Sequence, residues 1–589
     1  MYTTPMRKLT VAIAALCLST GVLTAQMTAD QRVQDFQNLA ALYAKRYAPY
    51  EWKREALGFD LFNLSPWLDR VRGAKDDLEF YEISLEYVAN LQDTHSSYRV
   101  PSNFIADLGF TVDIYDGKVM IDSINRARNP ASDFPFQAGD ELVSVDGKTS
   151  EEWIAALSRF RKYGSSLTTR RNAADLITFR TQSTVPRAVE LGETAAVVVR
   201  RANGELETYT VPWTKTGSPL TKVGPVPSPK YSVRKSAQTG DAPDYLNLLL
   251  EMRNWSLPAG EPLLMGQTTS EETGETLPRR YLTTGIGSRN PVFRTGLPSN
   301  FVQRLGLASA DFHFSGSYES QGHKIGFLRV PSFGPFDMAG AVRELDTEIA
   351  FFQQNTEALV IDVMRNPGGG CYMADLAARL IPHNFFFFGE EVRATRDRVQ
   401  SAQNALDAAT RARADQWIID LYRSYLDTLT QASTENRGLT GSIPACNQFR
   451  SPLPPGDLQL PASVVYTKPL IILVDEFSIS AADIFPAMMQ DNGRGLVVGM
   501  RTSGGGGSVS NWPSGFFSEA TASNTNTLVV RNHSIATEEY PLTPFVENIG
   551  TRPDVPLNYM TRQNMLNGGR TFVGEFSQIV VDQILRAGQ

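Results

Sequence analysis

Two stretches in the C-terminal half of the chain consist of apolar residues without polar interruption. They are Ala358-Leu-Val-Ile-Asp362, which ends in its only polar residue, and Pro469-Leu-Ile-Ile-Leu-Val474. Such a run is typical of a strand that is buried on both faces, as in a parallel sheet. The first run leads into the glycine turn Gly368–Gly370, and the second leads to Ser480 at the predicted start of a helix. A serine at a helix N-terminus beside a glycine turn offers a nucleophile and backbone N–H donors in one place, which suits acyl transfer.

The N-terminal region has the spacing of helices. Residues 31–47 and 74–91 carry apolar positions three and four residues apart and contain few helix breakers. This pattern predicts a helical region over residues 28–100.

Short segments with strand character follow the helical region. One of them begins Asp107-Leu-Gly-Phe110, and the last of them enters an Asp146-Gly147 turn. Together they resemble a PDZ domain, whose Gly-Leu-Gly-Phe-like loop presents backbone amides to a chain-terminal carboxylate. Here an aspartate stands at the first glycine of that loop. The pattern predicts a PDZ-like domain over residues 103–215.

The rest of the chain divides into a loop-rich part and a compact part. Residues 216–320 are rich in Pro, Gly, Ser and Thr, which predicts a linker or surface insertion with a short helical patch at 245–255. A strand from Lys324 and an amphipathic helix near 339–354 open a core that we predict over 321–589. An insertion at 388–462 interrupts this core, and part of it has high helix propensity.

Composition narrows the possible partners. The chain has 589 residues, of which 42% are hydrophobic and 20% charged, and its net charge is −7. This length allows several domains, and the mild acidity argues against a nucleic-acid partner. After the N-terminus no uncharged apolar stretch is long enough for a membrane span.

The N-terminus has the pattern of an export signal. Arg7 and Lys8 precede an apolar stretch from Leu9 to Leu23, and Ala25 is the expected cleavage position. We predict a signal peptide over residues 1–25 and a periplasmic or secreted protein; an uncleaved anchor is the alternative. After removal of the signal two cysteines remain, Cys371 and Cys446, and they could form a disulfide or stay unpaired.

The sequence motifs of several common enzyme chemistries are missing from this chain. The 5 histidines show no metal-ligand spacing, and no Cys-x-x-Cys pair occurs. The Gly-x-Ser-x-Gly elbow of α/β-hydrolases is also missing. We therefore predict no metal and no cofactor.

The two apolar runs lie in longer motifs that resemble those of peptidase family S41, the C-terminal-processing or tail-specific serine proteases. The first motif is Asp362-Val-Met-Arg-Asn-Pro-Gly-Gly369, in which Met364 holds the place of the family's arginine. The second is Ser478-Ile-Ser-Ala-Ala-Asp483, which leads into Gln490-Asp-Asn-Gly-Arg494. The resemblance implies an α/β core of the ClpP/crotonase kind. It also implies Ser480 as the nucleophile and an oxyanion hole formed by the backbone amides of Gly368, Gly369 and Ala481.

The best-known branch of this family uses a lysine as its general base, and this chain differs from that branch at the lysine's position. In this chain Gly505 occupies that lysine's place. A tricorn-like branch uses a histidine, and Leu91-Gln-Asp-Thr-His-Ser-Ser-Tyr98 resembles its motif. The layout is also similar to that of chlamydial members of this branch, the protease-like activity factors. Phe545-Val-Glu-Asn-Ile-Gly550 resembles the motif that carries their acidic residue.

The resemblance thus implies a triad of Ser480, His95 and Glu547, with Thr94 as a possible orienting residue. We predict an exported serine endopeptidase that acts on protein or peptide substrates through an acyl-enzyme. A non-catalytic peptide-binding relative, an esterase or amidase, and a structural envelope protein are the alternatives. The segment 222–289, which contains Arg279 and Arg280, is a candidate inhibitory segment that is cut on activation, and a homodimer is implied by the resemblance alone.

Overall fold

The structure is a computed structural model that describes residues 26–220, 285–446 and 458–588. The predicted signal peptide, the helical patch at 245–255 and the Arg279-Arg280 pair lie outside the described residues. None of the helices in the described ranges combines the length and the apolar character that a membrane span requires.

The N-terminal region is helical, as predicted. A capping box formed by Thr28 and Gln31 starts the first helix, and the Asp76 side chain caps the fourth. A buried ion pair between Arg32 and Asp77 joins these two helices. The four helices are α1 (Ala29–Arg46), α2 (Tyr50–Leu57), α3 (Ser65–Arg72) and α4 (Asp77–Ala89).

A six-stranded antiparallel sheet with two helices follows. Its strand order is β3-β4-β5-β8-β9, with β6 paired to β5 through the predicted Asp146-Gly147 turn. Both turn residues have positive φ (50° and 78°), which suits a tight hairpin. A smaller sheet, β10-β2-β7, lies beside it. The elements are β2 (Ile105–Asp107), β3 (Phe110–Tyr115), β4 (Lys118–Ile124), β5 (Glu141–Val145), β6 (Lys148–Thr149), α5 (Ser150–Ser158), α6 (Ser166–Thr178), β7 (Phe179–Thr181), β8 (Thr194–Arg200), β9 (Leu206–Pro212) and β10 (Thr214–Thr216).

The main sheet has seven strands in the order β11-β12-β13-β14-β19-β20-β25. The strands from β13 to β25 run parallel, as the apolar runs predict. They are β11 (Val302–Leu305), β12 (Phe314–Ser320), β13 (His323–Arg329), β14 (Ala358–Asp362), β19 (Leu470–Val474), β20 (Leu496–Gly499) and β25 (Val555–Pro556).

Helices cover both faces of this sheet. Leu359 and Ile361 pack in one core with α7 (Met338–Asn355), α8 (Tyr372–Leu380) and α11 (Ala481–Asp491). Ala358 and Val360 point the other way and pack in a second core with α13 (Arg570–Ala587), which follows the short helix α12 (Arg562–Asn567). Burial on both faces explains why these strands show no polar alternation.

The predicted linker over residues 216–320 is wrong at its C-terminal end, because β11 and β12 belong to the main sheet. Strand β12 was not predicted because it is rich in small and polar residues. Ser315 is buried and donates to Glu348 (2.6 Å), and Tyr318 bonds Ser577 (2.8 Å). A side chain at Gly316 would meet Phe301 at 2.4 Å, so the glycine is required by close packing.

The insertion after residue 388 is partly helical, as predicted, and is joined to the core by a disulfide. Its Cys446 bonds Cys371, the residue that precedes α8, with a Cα–Cα distance of 5.7 Å. The remaining elements are α9 (Arg396–Arg411), α10 (Gln416–Thr434), β1 (Ser97–Arg99), β15 (Phe385–Phe386), β16 (Gly389–Val392), β17 (Ile443–Pro444), β18 (Leu458–Gln459), β21 (Val509–Pro513), β22 (Thr521–Thr525), β23 (Thr527–Ile535) and β24 (Thr543–Phe545). Strand β1 pairs with β22, which attaches the N-terminal region to the core.

Candidate active site

Ser480 stands at the N-terminal end of α11, where the chain returns from the carboxyl end of β19. Its backbone has φ 60° and ψ −118°, a conformation that is costly for a residue with a side chain. The Asp483 carboxylate accepts a hydrogen bond from the Ser480 N–H at 2.8 Å and so holds this turn. The Oγ atom is buried and has no hydrogen-bond partner within the described residues. Ser480 is therefore placed as a nucleophile is placed on a sharp strand-to-helix turn.

The glycine turn lies directly against Ser480. A methyl group at Gly368 would lie 2.6 Å from Ser480 Cβ and 3.0 Å from the amide nitrogen of Ala481. One at Gly369 would overlap the backbone of Phe333. These approaches, together with φ values of 96° and 140°, explain why both residues are glycines.

The predicted oxyanion donors are grouped, but one of them is already engaged. The Gly368 N–H donates to Asn366 Oδ1 at 2.8 Å. The backbone carbonyl of Asn366 accepts from the N–H of Ile479, the residue before Ser480, at 2.9 Å. Gly368 can serve an oxyanion only if this turn shifts.

Gly505 shows why a lysine is excluded from its usual place. A methyl group there would lie 2.7 Å from Thr94 Cβ. Gly505 also donates to Asp483 at 3.2 Å, and Thr94 Oγ1 lies 2.9 Å from Ser503 Oγ. The loop that carries His95 thus packs on the segment that also holds the Ser480 turn.

His95 lies in a tightly bonded loop between α4 and β1. The Asp93 carboxylate accepts from the backbone N–H groups of His95 (2.7 Å) and Ser96 (3.1 Å). Arg161 donates to the carbonyl of Thr94 at 2.6 Å from the PDZ-like side. His95 is 3% exposed, and neither of its ring nitrogens has a hydrogen-bond partner within the described residues.

Burial lowers the pKa of His95 to about 4. The Asp93 carboxylate opposes this shift, and the positive charges of Arg161 and Lys53 add to it. The imidazole is therefore neutral at pH 7, which is the form that a general base requires.

Glu547 is fully buried and bonded to groups other than His95. Its Oε1 accepts from the Lys53 ammonium, and its Oε2 accepts from the Gly506 N–H at 3.2 Å. Burial raises the pKa of Glu547 to about 8, and the charge of Asp93 adds to this shift while Lys53 opposes it. In this structure the carboxylate is thus oriented by Lys53.

The structure brings the predicted residues into one region through the segment Ser503–Gly507. Ser480 is tied to this segment by Asp483, the His95 loop by Thr94, and Glu547 by Gly506. No hydrogen bond among the described residues joins Ser480, His95 and Glu547 to one another.

Sequence reasoning assigned no role to several residues of this region. Asp93 and Asn548 lie inside the two motifs quoted for His95 and Glu547, so those motifs could have pointed to them. Lys53 and Arg161 lie outside any motif and became visible only in the folded chain. Asp483 lies inside the motif quoted for Ser480, and it accepts from the amide of the residue that precedes α11.

Within the described ranges no cluster of three or more His, Cys, Asp or Glu side chains is arranged to hold a metal ion.

Comparison with protein families identifies two domains. Residues 324–555 match peptidase family S41, and residues 105–220 match a PDZ domain. The protein is therefore a serine-type peptidase that carries an S41 domain and a PDZ domain, as the motifs predicted.

Chlamydial proteins are among those similar to this chain. An uncharacterised protein of Chlamydia muridarum is 24% identical over 587 residues, which cover 95% of this chain and 94% of the relative. A protein of Chlamydia trachomatis serovar D is 24% identical over 595 residues, 94% and 93% of the two chains. The structure of mature CPAF complexed with lactacystin matches with a TM-score of 0.70 at 23% identity, covering 95% of this chain and 99% of that one. This match supports the same overall fold.

Proposed function

We propose that the protein is an exported serine endopeptidase that cleaves peptide bonds through Ser480, His95 and Glu547. The observation that carries this proposal is the contact at Gly505. The position of the lysine base is filled by Thr94, and the next residue along the chain is His95. A base delivered by the N-terminal region thus takes the place of a base from the core.

The proposed reaction has two stages. Ser480 Oγ attacks the carbonyl carbon of the scissile bond, and His95 takes the hydroxyl proton. The tetrahedral intermediate collapses as the C–N bond breaks, and His95 gives that proton to the leaving amine. Water then attacks the acyl-enzyme while His95 takes one of its protons. His95 gives this proton to Ser480 Oγ as the ester bond breaks, which releases the carboxylic acid product and restores the serine.

Two groups stabilise the charges that develop. The oxyanion lies beside the amides of Gly368, Gly369 and Ala481 at the N-terminus of α11, where the helix dipole also favours negative charge. Glu547 accepts from the second ring nitrogen of His95 and stabilises the imidazolium. For this step the His95 ring and the Glu547 carboxylate must approach one another, since they are not hydrogen-bonded in the described structure.

The triad is tested by casein cleavage with the chain lacking residues 1–25. We expect Ser480→Ala and His95→Ala to lose about 10³-fold or more in kcat, and Glu547→Gln about 10²–10⁴-fold. His323→Ala is the matched control, because His323 pairs with Glu357 at the start of β13, outside this region. Activity that survives Ser480→Ala would contradict the proposal. Turnover of small acyl esters without casein cleavage would favour the esterase alternative.

We also propose that the protein is made as a zymogen that the segment 222–289 restrains. The engaged Gly368 amide and the separate Glu547 and His95 are what an unassembled site would have. Wild type and Ser480→Ala are incubated side by side and their fragments identified by mass spectrometry. Cleavage within 222–289 in wild type alone, followed by a rise in activity, is the expected result. A wild-type chain that cleaves casein and stays uncut would contradict it.

A further inference from the structure

Lys53 is a fully enclosed cation in the candidate active site. It lies on α2 and is 1% exposed. Its ammonium group donates to Glu547 Oε1, to Asn548 Oδ1 at 2.6 Å and to the Gln92 carbonyl at 3.0 Å. An ammonium has three donors, so all of them are used.

The three acceptors belong to the two loops that carry the proposed base and its acidic partner. Gln92 precedes His95 by three positions, and Asn548 follows Glu547 directly. Asn548 Nδ2 also donates to the Gln92 carbonyl at 2.9 Å, so the loops touch at the point where Lys53 binds them. Gln92 and Asn548 both have positive φ, 45° and 64°, which the surrounding bonds must maintain.

We propose that Lys53 is a positioning residue of the peptidase site, which orients the Glu547 carboxylate and holds its loop against the His95 loop. This inference rests on the proposed function of Glu547. Lys53 acts through Glu547 and does not touch the scissile bond.

Lys53 also affects the ionisation of Glu547. A carboxylate that is buried without a cation binds a proton, because the low-dielectric interior disfavours its ionised form. A protonated Glu547 carries no charge with which to stabilise the His95 imidazolium. Lys53 therefore orients Glu547 and also favours its ionised form.

The other groups that face this pair come from several elements. Asp93 acts on Glu547 and His95 from the loop after α4, and Tyr47 lies near both carboxylates at the end of α1. Arg161 acts on His95 from the PDZ-like side. Asp93 opposes ionisation of Glu547, which leaves Lys53 as the cation that favours it.

The first test is the pH profile of kcat/KM for casein or a peptide derived from it. Removing a cation at this distance raises a carboxyl pKa by about 1–3 units. We expect Lys53→Met to move the rising limb of the profile to higher pH by that amount and to lower kcat at pH 7 about tenfold or more. Lys53→Gln, which keeps hydrogen-bonding capacity, should show the same shift if Lys53→Met does not fold. Lys53→Arg, which keeps the charge, should leave the limb in place.

The matched control is Arg32→Met, which removes another buried cation of the helical region. Arg32 pairs with Asp77 and has no contact with Glu547. We expect it to lower the melting temperature without moving the limb. A limb that moves equally in both variants, or in neither, would overturn the proposal.

The second test does not depend on peptidase activity. In the Ser480→Ala background we expect Lys53→Gln to lower the melting temperature more at pH 9 than at pH 5. At pH 5 Glu547 is protonated with or without Lys53, whereas at pH 9 the wild type gains stability from the charge pair that the variant lacks. With Glu547→Gln added, this pH difference should vanish. Equal losses at both pH values would refute the coupling of Lys53 to Glu547, whereas the presence of that coupling without any Ser480-dependent cleavage would refute the proposed function alone.

Discussion

At the position where the best-known S41 peptidases carry a lysine, Gly505 leaves space for a loop that comes from the N-terminal region. The contact is tight, since the Gly505 backbone meets the Thr94 side chain and also donates to Asp483. In the proposed mechanism, a single residue without a side chain thus determines which part of the chain can supply the base.

Gly505→Ala adds only one methyl group, but we expect it to lower both the stability and the activity of the protein. A methyl group 2.7 Å from Thr94 Cβ requires a backbone shift, for which overpacking typically costs about 1–3 kcal/mol. We expect a matching loss in the free energy of unfolding and a fall in kcat of about tenfold or more, as the His95 loop moves away. Denaturant unfolding and casein cleavage measure the two effects.

Gly574→Ala is the matched control for that variant. Gly574 lies on the exposed side of α13, and nothing lies within 4 Å of a methyl group placed there. Alanine is a better helix former than glycine by about 1 kcal/mol, so this variant should be slightly more stable with unchanged kcat. If Gly505→Ala behaved like Gly574→Ala, the contact with Thr94 would not matter.

At the scale of elements, most of the framework of the site could be predicted from local pattern. The apolar runs of β14 and β19 and the glycine turn and serine that follow them are features of short windows of sequence. Strand β12 could not be predicted, because its buried Ser315 is satisfied by Glu348, a partner 33 positions away. A polar residue reads as exposed until its partner is known.

Features that lie within one element could be predicted, and features that join distant parts of the chain could not. The apolar spacing of α1 and α4 and the uninterrupted apolar run of β14 each lie within one element. The disulfide between Cys371 and Cys446 was left open by the sequence, since two cysteines 75 positions apart can pair only if the fold brings them together.

At the scale of the whole molecule, a buried arginine joins the PDZ-like sheet to the loop that leads to Ser480. Arg171 on α6 binds both oxygens of Asp113 on β3 at 2.9 and 2.7 Å. It also donates to Tyr559 at 2.6 Å and pairs with Glu476 at 3.0 Å. Glu476 lies four residues before Ser480, so the packing of the two domains affects the loop that carries Ser480.

Arg171→Met should thus destabilise the protein strongly. Removing one partner of a buried ion pair typically costs about 3–5 kcal/mol, because it leaves Asp113 and Glu476 buried without a cation. Arg187→Met is the control, since Arg187 is partly exposed and its pairs are worth about 1 kcal/mol or less. Thermal unfolding compares the two, and equal losses would contradict the role assigned to Arg171.

Local pattern in the sequence was sufficient to predict the buried strands, and the resemblance of its motifs to peptidase family S41 was sufficient to predict the family and the candidates Ser480, His95 and Glu547. Each rests on a motif or run that occupies a short window, where backbone preference and burial pattern leave their mark. The relations between these residues depend on the fold. Lys53 and Glu547 are 494 positions apart, and Thr94 and Ser503 are 409 positions apart. Such contacts depend on which charges are buried together and on which loops pack against one another. Neither can be predicted from a short window of sequence, because the partners are brought together only by the tertiary fold.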